Sequence, residues 1–307
     1  MNSERKDRID LAGAGWLVSF ALIMGINQVL VKLVNAGLAP VFQAGLRSAC
    51  ALVPVLIYAI YTKRKLSISD GSLVPGICCG ALFAAEFMLT FSAFDYTSVA
   101  RATMLFYTMP FWLACAAHFL IPGERMTLRR VTGLLMAVAG VAWALLRNDH
   151  PATEYALVGD LMCLVAALCW AGIALLARTT ALSKSSPEMQ LVYQLAVSGA
   201  IMLPLAPVLG DLVRDLTPQI GALFVFQVLV VVSFGFLMWF RVLAIYPASD
   251  MASFGFLTPL FGVMFGWLIL GETITLEFIG ALALVCAGIV LVNRKTKSQK
   301  FVNLPDG

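Results

Sequence analysis

Ten long apolar runs recur along the chain, separated by short polar segments that carry most of its charge. A helix rises 1.5 Å per residue and a bilayer's hydrocarbon is about 30 Å thick, so about 20 apolar residues make one crossing. In the first half the pattern predicts spans over residues 11–34, 40–62, 72–94, 98–120 and 127–146. In the second half it predicts spans over 156–177, 187–209, 217–240, 248–270 and 275–292. Residues 1–10 form a polar head, 147–155 a polar connection and 293–307 a polar tail. The first run is too long for a signal-peptide core and lacks a clear cleavage site, so it is expected to be retained. The fold class expected is an all-α polytopic membrane protein.

Composition agrees with this pattern. The chain is 61% hydrophobic and 12% charged, with a mean hydropathy of +0.90, against about 45–50% apolar and about 25% charged in soluble domains. Sixteen of the 21 Lys and Arg fall in the head, the tail and alternate loops, which places both termini on the cytoplasmic side. Lys32, Arg101, Arg147 and Arg214 lie near span ends on the opposite side, and Arg47 alone is inside a span. A net charge of +4, so dispersed, gives no reason to expect a nucleic-acid partner. All seven cysteines fall within the runs, without the spacing of metal ligands or staples, and read as small packing residues.

The chain repeats itself at half its length. Gly123-Glu124-Arg125-Met126-Thr127-Leu128 returns 148 residues later as Gly271-Glu272-Thr273-Ile274-Thr275-Leu276, and Ala139-Gly140 returns as Ala287-Gly288. Pro110 matches Pro259 with a one-residue slip. Pro40, Gln43 and Arg47 match Pro187, Gln190 and Gln194 at an offset of 147. Each half holds five spans, an odd number, so the second half enters the membrane inverted. Inverted repeats put a substrate site near the midplane between the halves and let the halves rock. The doubled block reads as a structural turn: Glu124 with Thr127, and Glu272 with Thr275, stand where a carboxylate and a hydroxyl cap the following helix.

Five-span halves that each close on Pro, then Gly-Glu-x-x-Thr-Leu, then Ala-Gly, resemble the EamA family of the drug/metabolite transporter superfamily. Within it the chain is most similar to bacterial inner-membrane exporters of the YddG type, which accept aromatic amino acids and related metabolites. The resemblance implies that spans 1–4 and 6–9 surround a central cavity, with spans 5 and 10 at the side. Family members often carry a basic residue at the place of Arg47.

Polar groups inside spans are costly unless they face protein or water, which makes them functional candidates. Asn27, Arg47 and Glu86 come to similar depth, on the order of 10 Å below one surface. With Gln43 they form a candidate site for a zwitterion, Arg47 taking the carboxylate. The alternative is a structural Arg47–Glu86 pair that locks spans 2 and 3. Aromatic candidates for the same slot are Phe83, Phe87, Tyr107, Trp170, Tyr193 beside Gln194, and Trp239; each alone also reads as packing. Pro54, Pro110, Pro204 and Pro259 interrupt spans 2, 4, 7 and 9 and are candidate hinges or wall-shaping kinks. Trp16, Trp143 and Trp267 read as interface anchors, and Gly262 with Gly266 as a close-packing pair.

No zinc-protease, nucleophile-elbow or Walker A motif is present, so neither an intramembrane enzyme nor an ATP-driven pump is expected, and no metal or cofactor is called for. The expected partners are a small-molecule substrate, most simply an amino acid, and membrane lipid. A nucleotide-sugar carrier is the runner-up, but handling phosphates calls for several cations at depth.

Overall fold

The computed structural model describes residues 9–121, 127–146, 154–246, 254 and 257–293. Among these the chain is nearly all helical: α1 (Leu11–Asn35), α2 (Pro40–Tyr61), α3 (Leu73–Tyr96), α4 (Val99–Phe106), α5 (Met109–Leu120), α6 (Leu128–Leu146), α7 (Ala156–Thr179), α8 (Pro187–Leu209), α9 (Pro218–Phe226), α10 (Gly235–Ile245), α11 (Leu257–Leu270) and α12 (Leu276–Asn293). Among the described residues, six segments are long and apolar enough to cross a membrane: α1, α2, α3, α4 with α5, α7 and α8. Four shorter apolar helical stretches follow the same pattern at Val131–Ala144, Pro218–Phe234, Leu257–Leu270 and Leu276–Leu291. One face of α2 shows why lipid is needed. Val53, Ile57 and Ile60 are more than half exposed, a cost that hydrocarbon surroundings remove.

Two spans are not plain helices. The fourth breaks between Phe106 and Met109, because Pro110 has no N–H to bond the Phe106 carbonyl and so starts a new helix. The Thr108 hydroxyl donates to the Leu105 carbonyl at 2.7 Å across that break. In the eighth, residues Gln227–Phe234 between α9 and α10 wind as a π-helix. There the Ser233 hydroxyl donates to the Val228 carbonyl at 2.7 Å. Pro54 lies inside α2 and Pro204 inside α8, whereas Pro259 is in the first turn of α11. Gly123, Glu124 and most of the 147–155 connection lie outside the described residues.

The principal packing partners come from opposite halves of the chain. α2 lies on α8, α3 on α7 and α8, α1 on α11, and α6 on α12. The repeated Ala-Gly pairs are where α6 and α12 meet. A β-carbon at Gly140 would stand 2.7 Å from the Ala281 carbonyl oxygen, and one at Gly288 2.5 Å from that of Gly133, so only glycine permits this approach. Gly262 of α11 likewise seats α4 through Thr103, whereas Gly266 makes room for the Glu272 carboxylate, a β-carbon there standing 2.8 Å from Oε2.

Polar ties cluster at the end of the bundle where α1 stops. Ala39 N–H donates to the Leu212 carbonyl and Arg214 N–H to that of Gly37, so the two loops pair as an isolated bridge. Arg101 binds the fully buried Asp160 carboxylate, which also accepts from Thr97 at 2.7 Å. The repeated turn behaves differently from the expectation. Thr275 Oγ1 does accept from Phe278 N–H and caps its own helix α12. The Glu272 carboxylate instead reaches into the first half and accepts from Val99 N–H at 2.6 Å and Ala100 N–H at 2.9 Å, capping α4. At the opposite end Arg64 pairs with Glu188 at 3.1 Å, and Tyr246 donates to Asp10 at 2.6 Å.

Candidate functional site

The polar residues of α2 and α3 follow helical spacing. Gln43 and Arg47 are one turn apart on the inward face of α2, with exposures of 0% and 3%. On α3, Glu86 and Thr90 form one inward row and Phe83, Phe87 and Phe91 an adjoining one. Facing α2 and α3 brings these rows together. The Arg47 guanidinium lies 4.5 Å from the ring centres of both Phe87 and Phe91. Its Nη1 donates to Asn27 Oδ1 of α1 at 3.4 Å. The Phe83 and Phe87 rings stand 4.1 Å apart and continue the aromatic row.

Glu86 lies within electrostatic reach of Arg47, yet no ion pair within 4 Å joins them among the described residues. A guanidinium held on aromatic faces keeps its in-plane N–H donors for a planar acceptor. One Glu86 oxygen, Oε2, is buried and accepts no hydrogen bond.

A second polar contact crosses between the halves. Gln43 Nε2 donates to Gln227 Oε1, at the start of the π-helix, at 3.1 Å, and both side chains are fully buried. Gln43 Oε1 and Gln227 Nε2 are left without partners, as are the hydroxyls of Thr90 and Thr103. Either way the two amides are turned, one donor and one acceptor stay unsatisfied. Buried groups in that state cost about 1–3 kcal/mol each. These unpaired atoms are drawn from spans 2, 3, 4 and 8.

The other aromatic candidates divide. Tyr107, at the break in span 4, and Trp170 of α7 pack with Phe106 and Trp112. Tyr107 is within electrostatic reach of Glu86, so this cluster borders the Arg47 region. Tyr193 is placed elsewhere: its ring covers Gly76 and its hydroxyl pairs with that of Ser72 at 3.0 Å. Gln194 donates to Cys79 Sγ at 3.6 Å. Trp239 stacks on Phe20 at 4.9 Å in a separate cluster with Leu17 and Val242. Phe91 and Gln227 are the residues that sequence reasoning passes over. Phe91 continues the i, i+4 row of Phe83 and Phe87. Gln227 stands 148 residues after Cys79, the repeat's own offset, and each pairs with a glutamine across the halves.

Comparison with known proteins gives the chain its relatives. It is 29% identical over 294 residues to the uncharacterized transporter YoaV of Bacillus subtilis, covering 93% of this chain and 98% of that one. A probable amino-acid metabolite efflux pump of Escherichia coli is 25% identical over 282 residues, covering 88% and 91%. Among the solved structures that match, one crystal structure has a TM-score of 0.65 over 90% of this chain and 95% of its own, at 17% identity, a likeness of fold alone. Residues 11–146 and 157–294 each match the EamA-like transporter family. The chain therefore belongs to the EamA-like transporter family, as a multi-pass membrane transporter of a small molecule.

Proposed function

We propose that this transporter exports amino acids, aromatic and related neutral ones, across a bacterial inner membrane by alternating access between two inverted five-helix repeats. The division at 11–146 and 156–292 is supported by the two separate family matches, and inversion by the packing of α2 on α8 and α6 on α12, elements that correspond between halves. The excess of Lys and Arg at the head, at the tail and in alternate loops supports cytoplasmic termini.

The observation that carries the substrate class is Arg47 in its aromatic setting. One buried cation stands free of direct carboxylate contact, on two phenyl rings, with Asn27 bound and the unpaired oxygens of Glu86 and Gln43 close along the helices. A solute bearing a carboxylate, an ammonium and an apolar body meets the cation, the oxygens and the rings in turn. A nucleotide sugar, with two phosphates, meets only one deep cation. The proline kinks at Pro54 and Pro204, with the break at Pro110 and the π-helix after Phe226, supply flexing points for the rocking.

The test is counterflow in proteoliposomes preloaded with L-phenylalanine. Labelled phenylalanine, tyrosine and tryptophan should enter, with unlabelled neutral amino acids competing and nucleotide sugars not. Exchange of nucleotide sugars with no exchange of any amino acid would overturn the proposal.

A further inference from the structure

The end of the bundle where α1 stops carries a pocket of about 390 Å3, lined by Lys32, Asn35, Ala36, Phe94, Asp95 and Arg214. It is a shallow depression, open to solvent on one side. Its wall combines two cations, one carboxylate and one amide over an apolar floor. These groups come from α1, α3 and the α8–α9 loop, so both halves contribute.

The polar groups are arranged and incompletely used. Arg214 Nη2 donates to Asp95 Oδ2 at 2.7 Å and its Nη1 to the Asn35 carbonyl at 3.0 Å, leaving its remaining N–H groups available. Lys32 Nζ donates to the Thr97 carbonyl at 2.9 Å and lies 3.6 Å from Glu272 Oε1. The Asp95 carboxylate has spent one site per oxygen, on Asn35 and on Arg214, out of about four. Asn35 is 2% exposed. Its Nδ2 donates to the Phe91 carbonyl and to Asp95 Oδ1. Both partners accept only, so the amide orientation is fixed, and Oδ1 is the atom left buried with no partner. Asn35 lines the pocket while its Oδ1 stays buried behind that lining without a partner, a state that costs about 1–3 kcal/mol.

We infer that this pocket is a second, peripheral binding site for a zwitterionic amino acid, the ammonium held by the free acceptor sites of Asp95 and the carboxylate by Arg214 and Lys32. It stands apart from the Arg47 site and rests on the proposed function for the identity of its solute. Phe91 links the two, its ring meeting Arg47 and its carbonyl accepting from Asn35. With cytoplasmic termini the pocket lies on the outer face, where an exported solute makes its last contact. Asp95, Arg214 and Asn35 also tie the halves together at this end, so a solute that takes their hydrogen bonds loosens the closure from outside.

The test measures equilibrium binding of labelled L-phenylalanine to the full chain in lipid nanodiscs. The wild-type protein should bind two equivalents. Arg47→Gln should abolish one and leave the other, and Asp95→Asn should weaken that remaining one at least about tenfold while the protein stays monodisperse. At the remaining site N-acetyl-L-phenylalanine, which lacks the ammonium, and L-phenylalaninamide, which lacks the carboxylate, should each compete at least about tenfold more weakly than phenylalanine. A single equivalent abolished by Arg47→Gln, no effect of Asp95→Asn, or equal competition by either analogue would overturn the peripheral site. A single equivalent that depends on Asp95 and not on Arg47 would leave it standing and remove the central one.

Discussion

Replacing Glu272 by alanine isolates the contact that ties the repeated turn to the opposite half. Two α4 amides, Val99 and Ala100, lose a carboxylate at 2.6 and 2.9 Å. Hydrogen bonds to a charged group contribute about 1.5–3 kcal/mol each, and loss of an N-cap costs about 0.5–2 kcal/mol. The Glu272 side chain is 11% exposed, so water recovers part of the loss, and a net cost of about 2–3 kcal/mol to α4 follows. The Lys32 contact at 3.6 Å adds little, because it is partly exposed. At tenfold per 1.4 kcal/mol, the amides of residues 99–106 should exchange with deuterium about 30- to 150-fold faster in Glu272→Ala. Glu272→Gln keeps a carbonyl acceptor and should lose about half that free energy. Hydrogen exchange with mass spectrometry on the reconstituted protein reads this directly. Faster exchange in the first turn of α12 with α4 unchanged would refute the assignment, since that is the outcome if Glu272 capped its own helix.

Two further outcomes follow from the packing. Asp160→Asn leaves the Arg101 guanidinium facing a neutral amide in a buried setting, and should cost about 3–5 kcal/mol of stability. Thermal unfolding in detergent checks it, and Arg101→Met in the same chain should restore part of the loss. Phe87→Leu removes one of the two rings beneath Arg47; if the guanidinium is held there for substrate, it should raise KM in counterflow by about 2- to 30-fold, the equivalent of about 0.5–2 kcal/mol, at unchanged protein yield. An unchanged KM would refute it.

The order of apolar runs was legible because hydrocarbon thickness fixes helix length; all six long helices and four shorter apolar stretches fall where the pattern puts them. The break at Pro110 was legible for the same local reason, the missing N–H. The doubled glycines of Ala139-Gly140 and Ala287-Gly288 were visible as a repeat, but their cause, two backbones meeting at each other's glycine, depends on helices more than a hundred residues apart. Glu272 illustrates the limit. Its spacing from Thr275 points to α12, and only the fold brings Val99 closer. Within the site, the depth of Asn27, Gln43, Arg47 and Glu86 could be counted along the chain. The direction each side chain takes could not, so Arg47 meets Phe91 rather than a Glu86 oxygen. Gln227 was hidden in an apolar run, its partner 184 residues away. Tyr193 and Trp239 each sit beside or among plausible neighbours in sequence, yet the first packs on Gly76 and the second on Phe20.

The most direct measurement of the central claim is phenylalanine counterflow by Arg47→Gln, which keeps a polar N–H donor on a shorter side chain and removes the charge. The account requires exchange to fall at least about a hundredfold, the loss of a buried charge-assisted pair worth about 3 kcal/mol or more, while the variant inserts and elutes as the wild type does. A well-folded Arg47→Gln protein that exchanges phenylalanine at the wild-type rate would contradict it.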